Sequence, residues 1–359
     1  MSIPALFQPM TIRGVTFRNR IWLSPLCEYS AKTDGVPTDW HMVHLGSFAI
    51  GRAGLVMAEA TSISAVGRIS PHDVGIWNDE QVVAWKRITD FIHSQGVVAG
   101  VQLAHAGRKG STAPGWGVDY EDSTPADQGG WTTVAPSAVA FGDYDVPEEL
   151  DVAGIDAVVD DFVQAARRAI SAGFDLVEIH AAHGYLVHQF LSPLANERTD
   201  DYGGSLENRA RLIRRVVRAV REEIGDAVPL FVRVSATDWD ERGITVTDVA
   251  TIAEWLHDDG ADLIDTSTGG IAPGISIPTG PGYQVEFADT IRRTAEMPTN
   301  AVGLITLPEQ ANEIVESGKA DAVMLGRELM RDPHFALRAS TALGYSLPYW
   351  PDQYLRAQP

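Results

Sequence analysis

The most constraining feature of the chain is a local event that recurs along it. A helical segment ends, a glycine follows, and a short apolar run begins. This happens at Gly173, Gly260 and Gly318, where each glycine stands at the position that ends a helix. Strands that alternate with helices in this way form a parallel sheet, so the sequence predicts an α/β fold.

Short apolar runs suited to buried parallel strands occur eight times. Several lack strict alternation, as expected for strands that are covered on both faces. They are Ile21–Leu23, Leu55–Met57, Val97–Leu103, Leu176–Ile179, Leu230–Val234, Leu263–Asp265, Ala301–Gly303 and Ala322–Leu325. Four of the intervening segments are clearly amphipathic: Asp156–Ala172, Leu206–Ile224, Thr247–Asp259 and Pro308–Ser317. Eight units favour a closed (β/α)8 TIM barrel. No Gly-x-Gly-x-x-Gly motif occupies a strand-to-helix turn, which disfavours the doubly wound alternative.

Two additions to the barrel are predicted. Residues 11–20 suggest an N-terminal hairpin with its turn at Gly14. Residues 106–150 form the longest irregular stretch, and a further long loop follows the fourth strand. Such a long loop is usually functional or disordered. We therefore predict one domain over residues 1–359, with 107–150 as a capping excursion from the catalytic face.

Charge and cysteine content exclude several classes of protein. The net charge of −20 disfavours nucleic acid and anionic membranes as partners. One cysteine cannot form an internal disulfide, which suits a reducing compartment. The N-terminus has no signal-like pattern, and no run approaches the roughly 18 apolar residues that span a bilayer. These features predict a cytoplasmic protein.

Catalytic groups of a TIM barrel gather where strands end and loops begin. After the seventh and eighth strands, Gly303 and Gly326 allow close backbone approach, and Arg327 adds a positive charge. This combination predicts phosphate binding, although both glycines also suit tight turns. Gln102 could pair with the imide edge of a flavin, and Arg233 could hold negative charge near flavin N1 and O2. Each could instead be a buried polar group satisfied by the backbone.

His180 and His183 follow the fourth strand, and Tyr185 comes two residues later. With Cys27 and His105 as further ligands, the two histidines could bind zinc. They could also be one core and one surface histidine. A third interpretation is a pair of N–H donors that hold a carbonyl oxygen while the phenol protonates a neighbouring carbon.

Cys27 lies at the end of the first strand, close to Pro25 and Tyr29. A lone cysteine is usually a small buried hydrophobe. As a nucleophile it would need a nearby base. Its position leaves nucleophilic, coordinating and tuning roles open.

Seven stretches together resemble the Old Yellow Enzyme family of FMN ene-reductases, in particular its smaller bacterial branch with a cysteine near the flavin. They occur in the family's order and span nearly the whole chain: 24–30, 102–109, 178–186, 190–205, 207–209, 231–235 and 326–329. The resemblance implies bound FMN, NADPH or NADH as co-substrate, and enones or related activated alkenes as substrates. It implies no metal. The assembly would be a homodimer or homotetramer.

The resemblance also assigns roles to residues. Those that would contact FMN are Ser24, Pro25, Leu26, Cys27, Ala60, Gln102, Arg233, Gly303, Gly326 and Arg327. His180 and His183 would hold the substrate oxygen, Tyr185 would donate the proton, and Tyr29 would be a second phenol at the site. Lys109 would lie near the flavin, and Trp350 and Arg356 could reach a neighbouring subunit's site. We expect Cys27 to tune the flavin and not to act as a nucleophile.

Rival functions remain open at the level of sequence. Another FMN barrel could oxidise 2-hydroxy acids, a flavin sensor would not turn over, and a zinc hydrolase would be colourless. The two histidines and the tyrosine favour ene-reduction over the first two, and a visible spectrum would decide against the third.

Overall fold

The computed structural model describes residues 2–118 and 122–359. Its centre is a closed barrel of eight strands, in which every neighbouring pair is parallel. The strands are β1 (Ile21–Leu23), β2 (Leu55–Ser62), β3 (Val98–Ala104), β4 (Leu176–Ala181), β5 (Leu230–Ser235), β6 (Leu263–Ser267), β7 (Thr299–Ala301) and β8 (Ala322–Leu325). The predicted (β/α)8 TIM barrel is confirmed.

Helices connect successive strands and cover the outside of the barrel. They are α1 (Asp39–Ile50), α2 (Asp79–Ser94), α3 (Val152–Ser171), α4 (Leu186–Leu191), α5 (Leu206–Arg209), α6 (Arg211–Ile224), α7 (Val246–Asp258), α8 (Val285–Ala295), α9 (Pro308–Glu316), α10 (Arg327–Arg331) and α11 (Phe335–Ala342). The predicted helix over 206–224 is divided at Ala210, which is shared by the ends of α5 and α6.

The predicted seventh strand was placed two residues too late. It was expected at Ala301–Gly303 but occupies Thr299–Ala301. Gly303 has φ of +123°, a conformation that a regular strand does not use. The polar Asn300 instead pairs with β6 and β8 and is fully buried.

The N-terminal hairpin (Met10–Ile12 and Val15–Phe17) is present as predicted and packs with residues of the barrel interior. Phe17 packs on Trp22 with ring centroids 4.7 Å apart, and Trp22 stacks on Phe231 at 5.8 Å. All three side chains are fully buried. Burying one such ring contributes about 1.5–3 kcal/mol, so this aromatic plug stabilises the amino end of the barrel.

The excursion at 107–150 lies against loops of the barrel, while its residues 119–121 fall outside the described part. Arg108 donates to the carbonyl oxygens of Val139 (3.0 Å) and Ile271 (2.8 Å). Trp131 donates to the carbonyl oxygen of Val66 at 2.9 Å. The excursion also contains a two-stranded ladder of Val134–Ala135 and Glu148–Glu149. These contacts favour a single domain over 1–359, which remains a prediction.

Among the described residues, none of the helices has both the length and the apolar character required to cross a membrane.

Candidate active site

A cavity opens at the carboxyl ends of the barrel strands. Most of the residues that the sequence singled out line it: Ser24, Pro25, Leu26, Cys27, Gln102, His180, His183, Tyr185, Arg233, Gly303, Gly326 and Arg327. Strands β3, β4, β5, β6 and β8 and the segment after β1 supply lining residues, and the loops after β7 and β8 supply one end. Residues from several strands and loops therefore meet in one place, as the barrel topology requires.

Three aromatic rings form a compact group at the end of β4. The ring of His180 lies 5.2 Å from that of His183 and 5.0 Å from that of Tyr185, measured between centroids. His183 has φ of +58°, and its backbone N–H donates to Ser235 Oγ at 3.0 Å. The tight turn between β4 and α4 therefore turns all three side chains into the cavity.

The hydrogen bonds of the two imidazoles differ. His180 Nδ1 accepts from the Ala182 backbone N–H at 3.3 Å, which leaves Nε2 as the N–H donor of a neutral ring. His183 Nε2 lies 2.8 Å from Ser267 Oγ. His183 can thus donate to a ligand from Nδ1 while Ser267 donates to Nε2, or from Nε2 after leaving Ser267.

Protonation states at this group favour donation by neutral side chains. Burial lowers the pKa of His180 and His183 well below the ordinary histidine value, and the Arg233 guanidinium lowers both further. Burial raises the pKa of the Tyr185 phenol well above its usual value. At neutral pH the site therefore holds two neutral imidazoles and a protonated phenol.

Gln102 and Arg233 form a polar floor. Arg233 Nη1 donates to Ser24 Oγ at 3.1 Å, and Arg233 Nε lies 3.1 Å from Asp265 Oδ2. Gln102 Nε2 donates to Glu178 Oε1 at 2.8 Å. An amide and a guanidinium at one surface of a cavity provide both donors and acceptors for a heteroaromatic ring.

Cys27 lies at the edge of the cavity, against a small apolar cluster. Ala60, Tyr29 and Tyr185 belong to the same cluster, but Ala60 and Tyr29 do not line the cavity. Burial raises the pKa of the Cys27 thiol well above its usual value, and the Glu59 carboxyl raises it further. Because a nucleophilic cysteine reacts as the thiolate, this environment disfavours nucleophilic attack.

The excursion reaches the site through Trp116. Its ring packs edge-on against Tyr29, with centroids 5.4 Å apart. The Tyr29 backbone has φ of +45°. Burial raises the pKa of the Tyr29 phenol, which therefore stays protonated at neutral pH. The contact agrees with the predicted capping position of the loop.

The loops after β7 and β8 form one end of the cavity, where the sequence predicts phosphate binding. A Cβ atom on Gly303 would meet the Tyr283 ring at 2.9 Å, so this position accommodates only glycine without a shift of its neighbours. Arg327 is exposed and lines the same end, as does Arg331, which the sequence analysis did not select. The glycine backbone and the two arginine side chains suit the phosphate of FMN. The polar floor suits its ring.

Lys109 does not line the cavity but supports it from behind. Its ammonium donates to the carbonyl oxygens of His183 (2.8 Å) and Gly270 (3.1 Å), and it lies 5.1 Å from the Tyr185 ring centroid. Burial lowers the pKa of Lys109 to about 8, and Arg108 contributes to the shift. Lys109 therefore joins the β4 turn to the loop after β6.

The C-terminal residues Trp350 and Arg356 lie away from this chain's own cavity. Arg356 belongs to the 3-10 segment Asp352–Ala357 and is exposed. Trp350 lies beside Leu337 of α11 and Tyr354, in an apolar groove. Their predicted contact with a neighbouring subunit stays a prediction.

Sequence reasoning overlooked the polar groups of β6 and the loop that follows it. Ser267, at the end of that strand, contacts His183, and Gln284 accepts from Thr268 Oγ1 at 2.7 Å. Gln284 Nε2 also donates to the carbonyl oxygen of Val302 at 2.9 Å, which joins the loop after β6 to the loop after β7. Ser267 could have been selected from the sequence, because it is a polar residue at the carboxyl end of a barrel strand. Gln284 comes after a loop, and the sequence around it does not indicate that it lies at the site.

Metal binding by the histidine pair finds no support in geometry. Across residues 2–118 and 122–359, no group of three or more His, Cys, Asp or Glu side chains is arranged to hold a metal ion. His105, one of the ligands considered, is buried, and its Nδ1 accepts from the Gly107 backbone N–H at 3.1 Å.

Comparison with known proteins places the chain in a family. The model of the NADH:flavin oxidoreductase / NADH oxidase family matches residues 5–344. An NADPH dehydrogenase of Listeria monocytogenes serotype 4b is 48% identical over 354 residues, which cover 98% of each chain. The solved structure of an old yellow enzyme homologue from Zymomonas mobilis has a TM-score of 0.79 and 30% identity, and 99% of each chain is covered. Morphinone reductase has a TM-score of 0.78 and 30% identity, with 96% of this chain and 91% of that chain covered.

These matches extend over nearly the whole chain and agree with the barrel and its polar cavity. The chain therefore belongs to the NADH:flavin oxidoreductase / NADH oxidase family, the Old Yellow Enzyme family, and is an FMN-dependent oxidoreductase that uses NAD(P)H.

Proposed function

We propose that this oxidoreductase reduces the carbon–carbon double bond of α,β-unsaturated carbonyl compounds. The observation that carries the proposal is the group formed by His180, His183 and Tyr185 beside the floor of Gln102 and Arg233. One end of the cavity thus offers two N–H donors and one acid, and the other parts suit a flavin. One structural relative, at 30% identity, is itself named as a reductase, morphinone reductase.

The substrate oxygen is bound by the imidazoles of His180 and His183. Both rings are neutral, so they polarise the carbonyl by donating hydrogen bonds and not by proton transfer. Polarisation makes the β-carbon electrophilic. FMN held in this cavity would supply the hydride chemistry that links NAD(P)H to the β-carbon.

Tyr185 protonates the α-carbon. Its high pKa keeps the proton on the phenol until the carbanionic character of the α-carbon draws it away. The Tyr185 ring lies 5.0 Å from the His180 ring, so the hydrogen-bond donor and the acid contact adjacent atoms of one small substrate. Solvent then returns a proton to the phenolate.

Arg233 and Gln102 would hold the pyrimidine part of the flavin, Arg233 on the N1 and O2 side and Gln102 at the imide edge. The Arg233 guanidinium lies at the cavity floor, and its positive charge favours negative charge nearby. Gly303, Gly326 and Arg327 would bind the phosphate. Ser24, Pro25, Leu26 and Cys27 would run along the ring, with Ala60 in the same apolar cluster as Cys27.

Cys27 adjusts the flavin as a neutral thiol. Burial and the nearby Glu59 carboxyl raise the pKa of the Cys27 thiol, which supports this role over nucleophilic attack. Tyr29 borders the substrate side, covered by Trp116.

NAD(P)H and the enone use the same cavity in turn, in a ping-pong scheme.

Copies of the chain associate as a homodimer or homotetramer through the C-terminal groove that Trp350 lines, and Arg356 is the residue offered to a neighbour. Sedimentation velocity of wild type and Trp350→Ala tests the association. A monomer in both cases contradicts it.

The catalytic proposal is tested by following the two half-reactions of Tyr185→Phe separately in a stopped-flow instrument. We expect NADPH to bleach the flavin absorbance at close to the wild-type rate. The return of absorbance with 2-cyclohexenone should slow by about a hundredfold or more, as for loss of a general acid. Equal slowing of both half-reactions contradicts the role of Tyr185 as the proton donor.

A further inference from the structure

A layer of buried charged side chains lies inside the barrel, directly behind the cavity floor. Glu178 of β4 and Asp265 of β6 are fully buried, and Arg233 of β5 is 6% exposed. In strand register, Glu178 stands beside Gln102, and Asp265 stands beside Arg233. Each of the two floor residues therefore has its own carboxyl group behind it.

The carboxyl group of Glu178 determines how the Gln102 amide is turned. Gln102 Nε2 donates to Glu178 Oε1 at 2.8 Å, and both side chains are buried. An amide has one donor end and one acceptor end. Because the donor end is committed to Glu178, the oxygen of Gln102 remains available to the cavity that it lines.

The charges of this layer do not balance if both carboxyls ionise. Arg233 lies 3.1 Å from Asp265 Oδ2 and accounts for one negative charge. Burial raises the pKa of Glu178 well above its usual value, and the neighbouring Asp265 carboxyl raises it further. Glu178 Oε2 has no hydrogen-bond partner among the described residues. Glu178 therefore serves as a neutral acceptor behind the floor, beside the Arg233–Asp265 pair.

We propose that Glu178 is a positioning residue for FMN, which acts by holding the Gln102 amide oxygen toward the imide N–H of the flavin. With the amide turned the other way, an N–H group would face the N–H of the imide, and no hydrogen bond could form. This inference rests on the proposed placement of the flavin over Gln102. It assigns a function to a residue that does not itself line the cavity.

The test uses the full-length chain reconstituted with FMN labelled with ¹⁵N at N3. It compares Glu178→Met, Glu178→Gln, Gln102→Leu and the double variant Glu178→Met/Gln102→Leu. The chemical shift of the N3–H group reports its hydrogen bond, and fluorescence titration gives the FMN dissociation constant. The control is Leu176→Ala, since Leu176 is fully buried in the barrel interior two residues earlier on β4.

We expect Glu178→Met and Gln102→Leu each to move the N3–H signal toward that of free FMN and to weaken FMN binding about tenfold, the effect of one lost buried hydrogen bond. The double variant should be no weaker than Gln102→Leu alone. Glu178→Gln should resemble wild type, because Asp265 attracts its new NH₂ group and leaves its oxygen for Gln102. Leu176→Ala should lower stability but leave the N3–H signal in place.

Three results overturn the inference. An unchanged N3–H signal in Glu178→Met, with a shifted signal in Gln102→Leu, shows that Glu178 does not orient the amide. A Glu178→Gln variant that loses the signal as fully as Glu178→Met contradicts the neutral-acceptor role. An unchanged signal in Gln102→Leu also removes the basis of the inference, and in that case the proposed flavin placement fails as well.

Discussion

Replacing Lys109 with Met should loosen the turn that carries the histidine pair. The ammonium donates to the carbonyl oxygens of His183 at 2.8 Å and Gly270 at 3.1 Å. The two segments pack closely, because a Cβ atom on Gly270 would lie 2.7 Å from His183 backbone atoms. His183 also has φ of +58°, which for a non-glycine residue needs support from its surroundings.

The size of the effect follows from these contacts. A hydrogen bond from a charged donor contributes about 1.5–3 kcal/mol, and two that share one ammonium are not additive. We expect Lys109→Met to lower the free energy of unfolding by about 3 kcal/mol. A displacement of His183 by about 1 Å would slow alkene reduction by roughly a hundredfold.

Lys109 also predicts a dependence of stability on pH. Its pKa in the folded chain is about 8, whereas an unfolded lysine titrates near 10.4. Between these values the folded chain has lost a proton that the unfolded chain still binds. The contribution of this group to stability therefore rises as pH increases from about 8 to about 10.4.

Urea unfolding at a series of pH values, with the holoenzyme of wild type and Lys109→Met, measures both effects. The difference in unfolding free energy between the two should grow above pH 8. The control is Lys319→Met, because Lys319 is partly exposed and pairs with exposed Glu286; it should change stability by less than about 0.5 kcal/mol. The reasoning is refuted if Lys109→Met changes the free energy of unfolding by less than about 0.5 kcal/mol and reduces the alkene at the wild-type rate.

Three further predictions concern the flavin site. Cys27→Ala should remain active with a shifted flavin midpoint potential, because the thiol is held protonated; loss of all turnover contradicts the tuning role. Gly303→Ala should lower stability by about 1–3 kcal/mol and release FMN during gel filtration, because φ is +123° and the new methyl group meets Tyr283 at 2.9 Å; a variant that unfolds and retains FMN like wild type argues against this cradle. Arg327→Ala should weaken FMN binding about tenfold by loss of a phosphate contact, without a change in apoprotein stability, since Arg327 is exposed; unchanged affinity in a fluorescence titration places the phosphate elsewhere.

The barrel could be predicted because parallel strands covered on both faces become short apolar runs. The runs underestimated strand length where the carboxyl ends become polar. Strand β2 continues through Thr61 and Ser62, and β6 continues through Ser267, all of them buried. Polar residues such as serine and threonine usually mark the end of a strand in an exposed sheet. Here they lie within the strands, next to an enclosed site, so composition alone predicted the strand ends too early.

The site was predictable where its residues lie near the carboxyl end of a strand, as His180, His183 and Arg233 do. The hydrogen-bond or ion-pair partner of each polar side chain could not be predicted from the sequence. Lys109 was expected near the flavin, but its ammonium binds two backbone carbonyls from loops that are distant in sequence. Glu178 and Asp265 interrupt apolar runs, yet their burial is understood only once Gln102 and Arg233 are seen beside them.

The central claim is that one flavin cavity first accepts hydride from NADPH and then reduces an enone. It is tested most directly by bleaching the flavin of the purified protein with NADPH without oxygen, adding 2-cyclohexenone, and analysing the product. We expect the flavin absorbance to return in proportion to the enone added and cyclohexanone to be the product. A flavin that stays bleached with the enone but recovers with oxygen, or a product with its double bond intact, would contradict the claim.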